Sequence, residues 1–216
     1  MPGCALHPDY RHCPGRQIGG STGRLFQVLI LPMIVCGCTG VPEGISPVKA
    51  FDLDRYLGTW YEIARLDHSF ERGLNDVSAE YSLREDGGVR VINRGYSVAE
   101  GSWKEAEGKA FFAGARDEGY LKVSFFGPFY GSYIVFELDQ ADYQYAFVAG
   151  NSRSYLWFLS RTPTVSEALL EHFIRRAGEL GFDTGGLILV EHREPGQLHN
   201  ERRSTVRRGI QTGGAQ

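Results

Sequence analysis

A chain of 216 residues, 42% hydrophobic and 12% aromatic, can bury one sizeable core, so one main domain is expected. A formal net charge of -3 and a pI near 6.1 leave no electrostatic footprint for nucleic acid, and no basic stripe interleaved with aromatics precedes the C-terminal tail. The cysteines are Cys4, Cys13, Cys36 and Cys38, with no second half-site at zinc-finger spacing, which argues against a metal site and excludes a disulfide in the region beyond them.

In chain order the first feature is a leader region, expected over residues 1–38. Residues 24–38 read RLFQVLILPMIVCGC, an arginine and an apolar run of signal-peptide length, too short to span a bilayer comfortably. Export is expected. Val35, Cys36 and Gly37 ahead of Cys38 resemble the bacterial lipobox, where a small residue precedes the cleaved bond and a thiol takes the diacylglyceryl group. Cys38 fits that chemistry better than Cys36, which follows the bulky Val35, and is the expected lipid-attachment residue. A plain signal peptide with incidental cysteines is the alternative left open. Thr39 rather than Asp follows, which resembles sorting to the outer membrane of an enteric-type Gram-negative bacterium, lipid-anchored and facing the periplasm. Residues 39–50 are rich in Pro, Gly and Ser without an apolar period, and read as a tether.

The stretch 51–65, FDLDRYLGTWYEIAR, then supplies a turn at Gly58 and, at Trp60, a side chain large enough to plug one end of a small barrel. From there short alternating runs at 60–66, 76–83, 89–96, 104–112, 121–125, 130–138, 145–149 and 155–160 are separated by turn residues. Glu85-Asp86-Gly87-Gly88 is a hairpin signal, so neighbours are expected to be antiparallel. After Arg161 the period changes. Thr164-x-x-Glu167 reads as a capping box, and Val165, Leu169, Phe173, Ile174, Ala177 and Leu180 form one amphipathic helix stopped at Gly181. Residues 187–190 read as a short ninth strand, and 195–216 as a disordered tail. The fold class is therefore all-β, an eight-stranded antiparallel up-and-down barrel with one C-terminal helix packed outside, its domain spanning 51–194.

These residues resemble the lipocalins, in the bacterial lipoprotein branch close to apolipoprotein D. Gly58-x-Trp60, the Asp142-Tyr143 stretch and Arg161 in LSRTP carry the likeness, in family order, over nearly all of the folded region. The resemblance implies that Arg161 lies across Trp60 at the closed end, a structural arrangement and not a catalytic one.

Charged Glu105, Glu107 and Lys109 mark the outside of the fourth run and leave Ala106, Gly108, Ala110 and Phe112 inward. The same parity makes Ala64, Val77, Tyr81, Val91, Ala110, Phe112, Val123, Phe125 and Trp157 the candidate ligand-binding residues. A filled core is the reading this leaves open. The loop 126–130 is placed at the end opposite Trp60, its aromatics either fringing the mouth or docked on the barrel. His68 reads as a solvated loop residue, and Glu62 as a hydrogen-bonded structural group rather than a general acid.

An apolar interior suits an acyl chain, so the expected ligand is a fatty acid such as palmitate or a (lyso)phospholipid, held for storage or transport of membrane lipids. No cofactor and no catalysis are expected, the membrane is reached through Cys38, and a homodimer is entertained. The rival readings are an envelope protein-interaction barrel without a stable ligand, and a lipid-modifying enzyme.

Overall fold

The computed structural model describes residues 40–193; the leader with Cys38, the first residue of the expected tether, residue 194 and the expected tail over 195–216 lie outside the described residues. Eight strands, β1 (Gly58–Arg65), β2 (Leu74–Leu83), β3 (Val89–Ser97), β4 (Ser102–Phe112), β5 (Tyr120–Ser124), β6 (Gly131–Leu138), β7 (Tyr145–Ala149) and β8 (Leu156–Ser160), follow one another as antiparallel neighbours. β1 pairs with β8 on one side and with β2 on the other, with Trp60 opposite Ala79, and this closes the barrel. Closure removes the exposed edges that an open sheet of this length would carry. A ninth strand, β9 (Ile188–Leu189), adds to β1 opposite Ala64 and Arg65.

A four-residue helix, α1 (Leu53–Tyr56), precedes β1 and is capped by the Asp52 carboxylate, which accepts the Asp54 and Arg55 N–H groups. It brings Phe51 and Tyr56 under the barrel beside Trp60, with the Tyr56 and Trp60 ring centroids 4.8 Å apart. Gly58 joins helix to strand at φ +91°, a left-handed turn that a side chain would strain.

The second long element, α2 (Glu167–Glu179), packs outside. Its cap is Ser166, whose hydroxyl accepts the Leu169 N–H, so the helix starts two residues beyond the expected Thr164 box. Phe173 sits against Phe147 and Phe158 at 4.9 and 5.0 Å, while Ile174, expected on the buried face, points outward. Two apolar clusters result: one inside the barrel around Trp60, one between barrel and helix around Phe147, Phe158 and Phe173.

The segment expected as a tether lies along the barrel. Gly40 O accepts from Ser132 Oγ at 2.8 Å, Glu43 O from Arg153 Nη2 at 2.6 Å, and Val48 N donates to Val135 O at 2.9 Å. Ile45 is buried in the outer cluster, which supplies the apolar anchor that the Pro and Gly content concealed.

Candidate ligand-binding site

The barrel has a closed end and an open one. At the closed end the Arg161 guanidinium lies 3.9 Å from the Trp60 ring centroid, and Trp60 Nε1 donates to Tyr56 O at 2.8 Å. Tyr143, at φ +55°, lies under the Arg55 guanidinium and its hydroxyl accepts the Asp52 N–H. Asp142 is exposed and enters this turn through its backbone, while Asp139 is the side chain that accepts the turn's N–H groups. The loops at 66–73, 98–101, 125–130 and 150–155 ring the opposite end.

Between them is a cavity of about 890 Å³, within the range of small-molecule sites. Val77, Tyr81, Val91, Ala110, Val123, Phe125 and Trp157 line it. Ala79, Ala106 and Gly95 keep its walls low, so the interior is not a filled core.

Two expected lining residues are placed elsewhere. Ala64 is packed in the outer cluster under α2, because the register of β1 shifts between Glu62 and Ala64 and reverses the alternation beyond that point. Phe112 does point inward but lies at the closed end, edge-on to Phe51 at 6.3 Å, where α1 and its lead-in cover it. His68 also differs from expectation. It is buried, stacked between Phe70 at 5.4 Å and Tyr155 at 5.0 Å, and tilted against Trp157 at 4.8 Å.

The same register shift turns Arg65 inward beside Glu62. Arg65 Nη1 donates to Glu62 Oε1 at 2.7 Å, and Nη2 donates to Glu71 O at 2.9 Å. Trp157 Nε1 donates to Glu71 Oε2 at 3.1 Å. Both carboxyls face the cavity, and burial pushes both above the usual carboxylate range. For Glu62 the nearby Glu71 charge adds to that rise, and Arg65 offsets part of it. The pair therefore keeps a proton where free carboxylates would have lost theirs, and one negative charge balances Arg65.

At the floor three phenols meet: Tyr133 O–H bonds to Tyr56 at 2.7 Å and to Tyr81 at 3.0 Å. Burial raises the pKa of all three, so they stay neutral. Three hydroxyl protons serve two mutual bonds, so one of them is not used within the triad. Asn93 Oδ1 and Ser124 Oγ on the wall have no hydrogen-bond partner among the described residues. Parity pointed to none of Arg65, Glu71 or Tyr56. Arg65 depends on an irregular register, Glu71 sits on a loop, and Tyr56 sits on a helix of a single turn.

The fold and site define a class: a closed antiparallel barrel with one mouth, whose apolar interior encloses a single small ligand. The Lipocalin-like domain family matches residues 51–192, and the chain belongs to the lipocalin family. It is 58% identical over 168 residues to the outer membrane lipoprotein Blc of Vibrio cholerae, covering 78% of this chain and 98% of that protein. It is 32% identical over 152 residues to apolipoprotein D of Bos taurus, covering 63% of this chain and 79% of that protein. Insecticyanin of the tobacco hornworm Manduca sexta shares the fold, with a TM-score of 0.57 at 22% identity over 72% of this chain and 88% of that one. The likeness to outer membrane lipoproteins of Gram-negative bacteria agrees with the location expected from the leader.

Proposed function

We propose that this lipocalin holds a fatty acid or a lysophospholipid in its barrel, tethered to the outer membrane through Cys38, for storage or transport of membrane lipids. One observation carries the reading: a cavity of about 890 Å³, apolar over most of its wall, open at a single end. Each methylene buried there contributes about 0.8 kcal/mol, and a preformed pocket avoids ordering costs. The polar groups at floor and wall supply a few fixed contacts, which orient a guest without dominating its affinity. The protein acts as a carrier and not as an enzyme. Glu62 is held by Arg65, Glu71 by Trp157, and among the described residues no activated nucleophile stands beside either.

The test is native mass spectrometry and lipid extraction on the full chain purified from membranes, beside an Ala106→Trp variant. Ala106 lines the cavity with open space before it, so the indole fills that space without disturbing packed neighbours. Co-purified acyl lipid in the parent, lost in the variant, is the expected result and names the head group. A parent that is empty and takes up neither added fatty acid nor lysophospholipid overturns the proposal.

A further inference from the structure

Most of the exposed large apolar side chains gather at one end of the barrel: Phe70, Val98, Trp103, Phe126, Phe129 and Tyr155 stand on the loops or strand ends around the open mouth. The others are scattered singly, Leu83 at the closed end, Ile174 on α2, Leu189 on β9 and Val41 in the N-terminal segment. Phe126 and Phe129 are the most open of them, 78% and 65% exposed, and both border the cavity. A ring of this kind around a mouth marks a surface that meets something apolar.

The N-terminal segment says what that is. Gly40 is held at the mouth end by Ser132, the second residue of β6, and Glu43 is held by Arg153 on a mouth loop. Cys38 is two residues before Gly40, a separation of at most about 7 Å of extended chain between their Cα positions. A barrel tethered there cannot swing freely on a long linker; its rim is the part next to the anchor. Several charges around the rim are paired within the chain, Arg72 with Asp67, Arg94 with Glu105 and Lys104 with Glu100, while Arg153 donates to the Leu180 and Glu43 carbonyls and Lys122 lies over the Tyr130 ring.

We propose that the barrel docks mouth-first on the bilayer that holds its anchor, with Phe126 and Phe129 inserted at the boundary between head groups and acyl chains. Lipid would then pass between bilayer and cavity along an apolar path, without crossing water. The proposal rests on the reading of Cys38 as the anchor; it goes beyond that reading in fixing which end faces the membrane.

The experiment uses the full chain, purified from membranes and reconstituted into phosphatidylethanolamine–phosphatidylglycerol vesicles with lipids brominated near the top of the acyl chain. Interfacial side chains reach about 5–10 Å into that region. In a Trp103→Phe background, tryptophan is placed at the mouth by Phe126→Trp and at the closed end by Leu83→Trp, both on exposed positions that tolerate exchange. Loss of most of the added emission for Phe126→Trp, with the Leu83→Trp emission unchanged, is the expected result. An acylated chain whose mouth tryptophan stays unquenched overturns the docking, as does quenching confined to the closed end. Mouth-to-mouth cross-linking of two copies with unquenched tips also overturns it and makes a second copy the occupant. The mass of the same preparation reports acylation separately: an unmodified Cys38 overturns the anchor reading and this placement with it. The cavity's lipid content, read on the same sample, stands or falls independently.

Discussion

Arg161 closes the barrel by lying over Trp60 while donating to three carbonyls from three different segments: Thr59 O at 2.9 Å, Arg55 O at 2.7 Å and Tyr143 O at 3.3 Å. One guanidinium thereby ties β1, the end of α1 and the β6–β7 turn to the end of β8. Charge-assisted bonds of this kind contribute about 1.5–3 kcal/mol each at most, and the stacked cation adds about 1 kcal/mol. Arg161→Ala is expected to destabilise the fold by about 2–4 kcal/mol, read as a lower urea midpoint. Arg161→Lys is expected to recover less than half, because an ammonium has neither the planar face nor the fork that reaches three acceptors. Full recovery by lysine would show that charge alone matters here.

Much of this architecture was legible in period-2 alternation. Strand ends differ from expectation by a residue or two, and β7 not at all, because turns such as 84–88 are written in Gly and Asp. What alternation cannot see is a change of phase. The irregular register after Glu62 sends Ala64 to the helix side and turns Arg65 inward against Glu62, and no residue type in GTWYEIAR signals it. Glu71 and His68 were hidden for another reason. They sit on a loop, where no period assigns a face, and only the fold brings them to Trp157. Helix α1 is one turn long, too short for a 3.6-residue pattern to register.

Gly108 tests the packing behind the rim. A Cβ there would lie 2.8 Å from Phe125 Cδ1 and 2.8 Å from the Ser124 carbonyl oxygen. The ring can swing aside but the backbone oxygen cannot, so Gly108→Ala is expected to cost about 1–3 kcal/mol by overpacking. Gly131, with nothing within 4 Å of the same position, is the control, and Gly131→Ala is expected to stay within about 0.5 kcal/mol of the parent. Thermal denaturation of the two variants side by side decides the matter; equal loss in both would mean that glycine's backbone freedom, and not the close approach, is what counts.

His68 gives the fold a dependence on acid. Burial among the rings of Phe70, Tyr155 and Trp157, reinforced by the Arg65 charge, pushes its imidazole down to about 4. The unfolded chain, near the ordinary value of about 6.5, takes up the proton first. Its contribution is thus fully present above about pH 6.5 and is lost as pH falls towards 4, where both states are protonated. Solvent near the loop limits the loss to roughly 2 kcal/mol. His68→Phe keeps the stack and removes the proton, so the variant is expected to lose less stability than the parent between pH 6.5 and 4 in urea titrations. Parallel curves would remove His68 as the cause.

The carboxyl pair acts in the opposite direction. Burial raises both Glu62 and Glu71, so the folded protein retains a proton that the unfolded chain has released above the ordinary carboxylate range. The pair's contribution is complete below that range and is lost as pH rises through the raised folded value. Glu71→Gln removes one ionisable group, keeps an oxygen to accept from Trp157 Nε1, and leaves Glu62 to balance Arg65. Its stability is expected to fall less steeply with rising pH than the parent's, at a cost near pH 5 of under about 1 kcal/mol. Glu62→Gln takes away the carboxylate that meets Arg65 at 2.7 Å and leaves a buried guanidinium short of its counter-charge, for an expected loss of about 3 kcal/mol. Urea midpoints measured from pH 5 to 9 separate the two. If Glu71→Gln proved the more damaging, Arg65 would be drawing its counter-charge from the loop and not from β1.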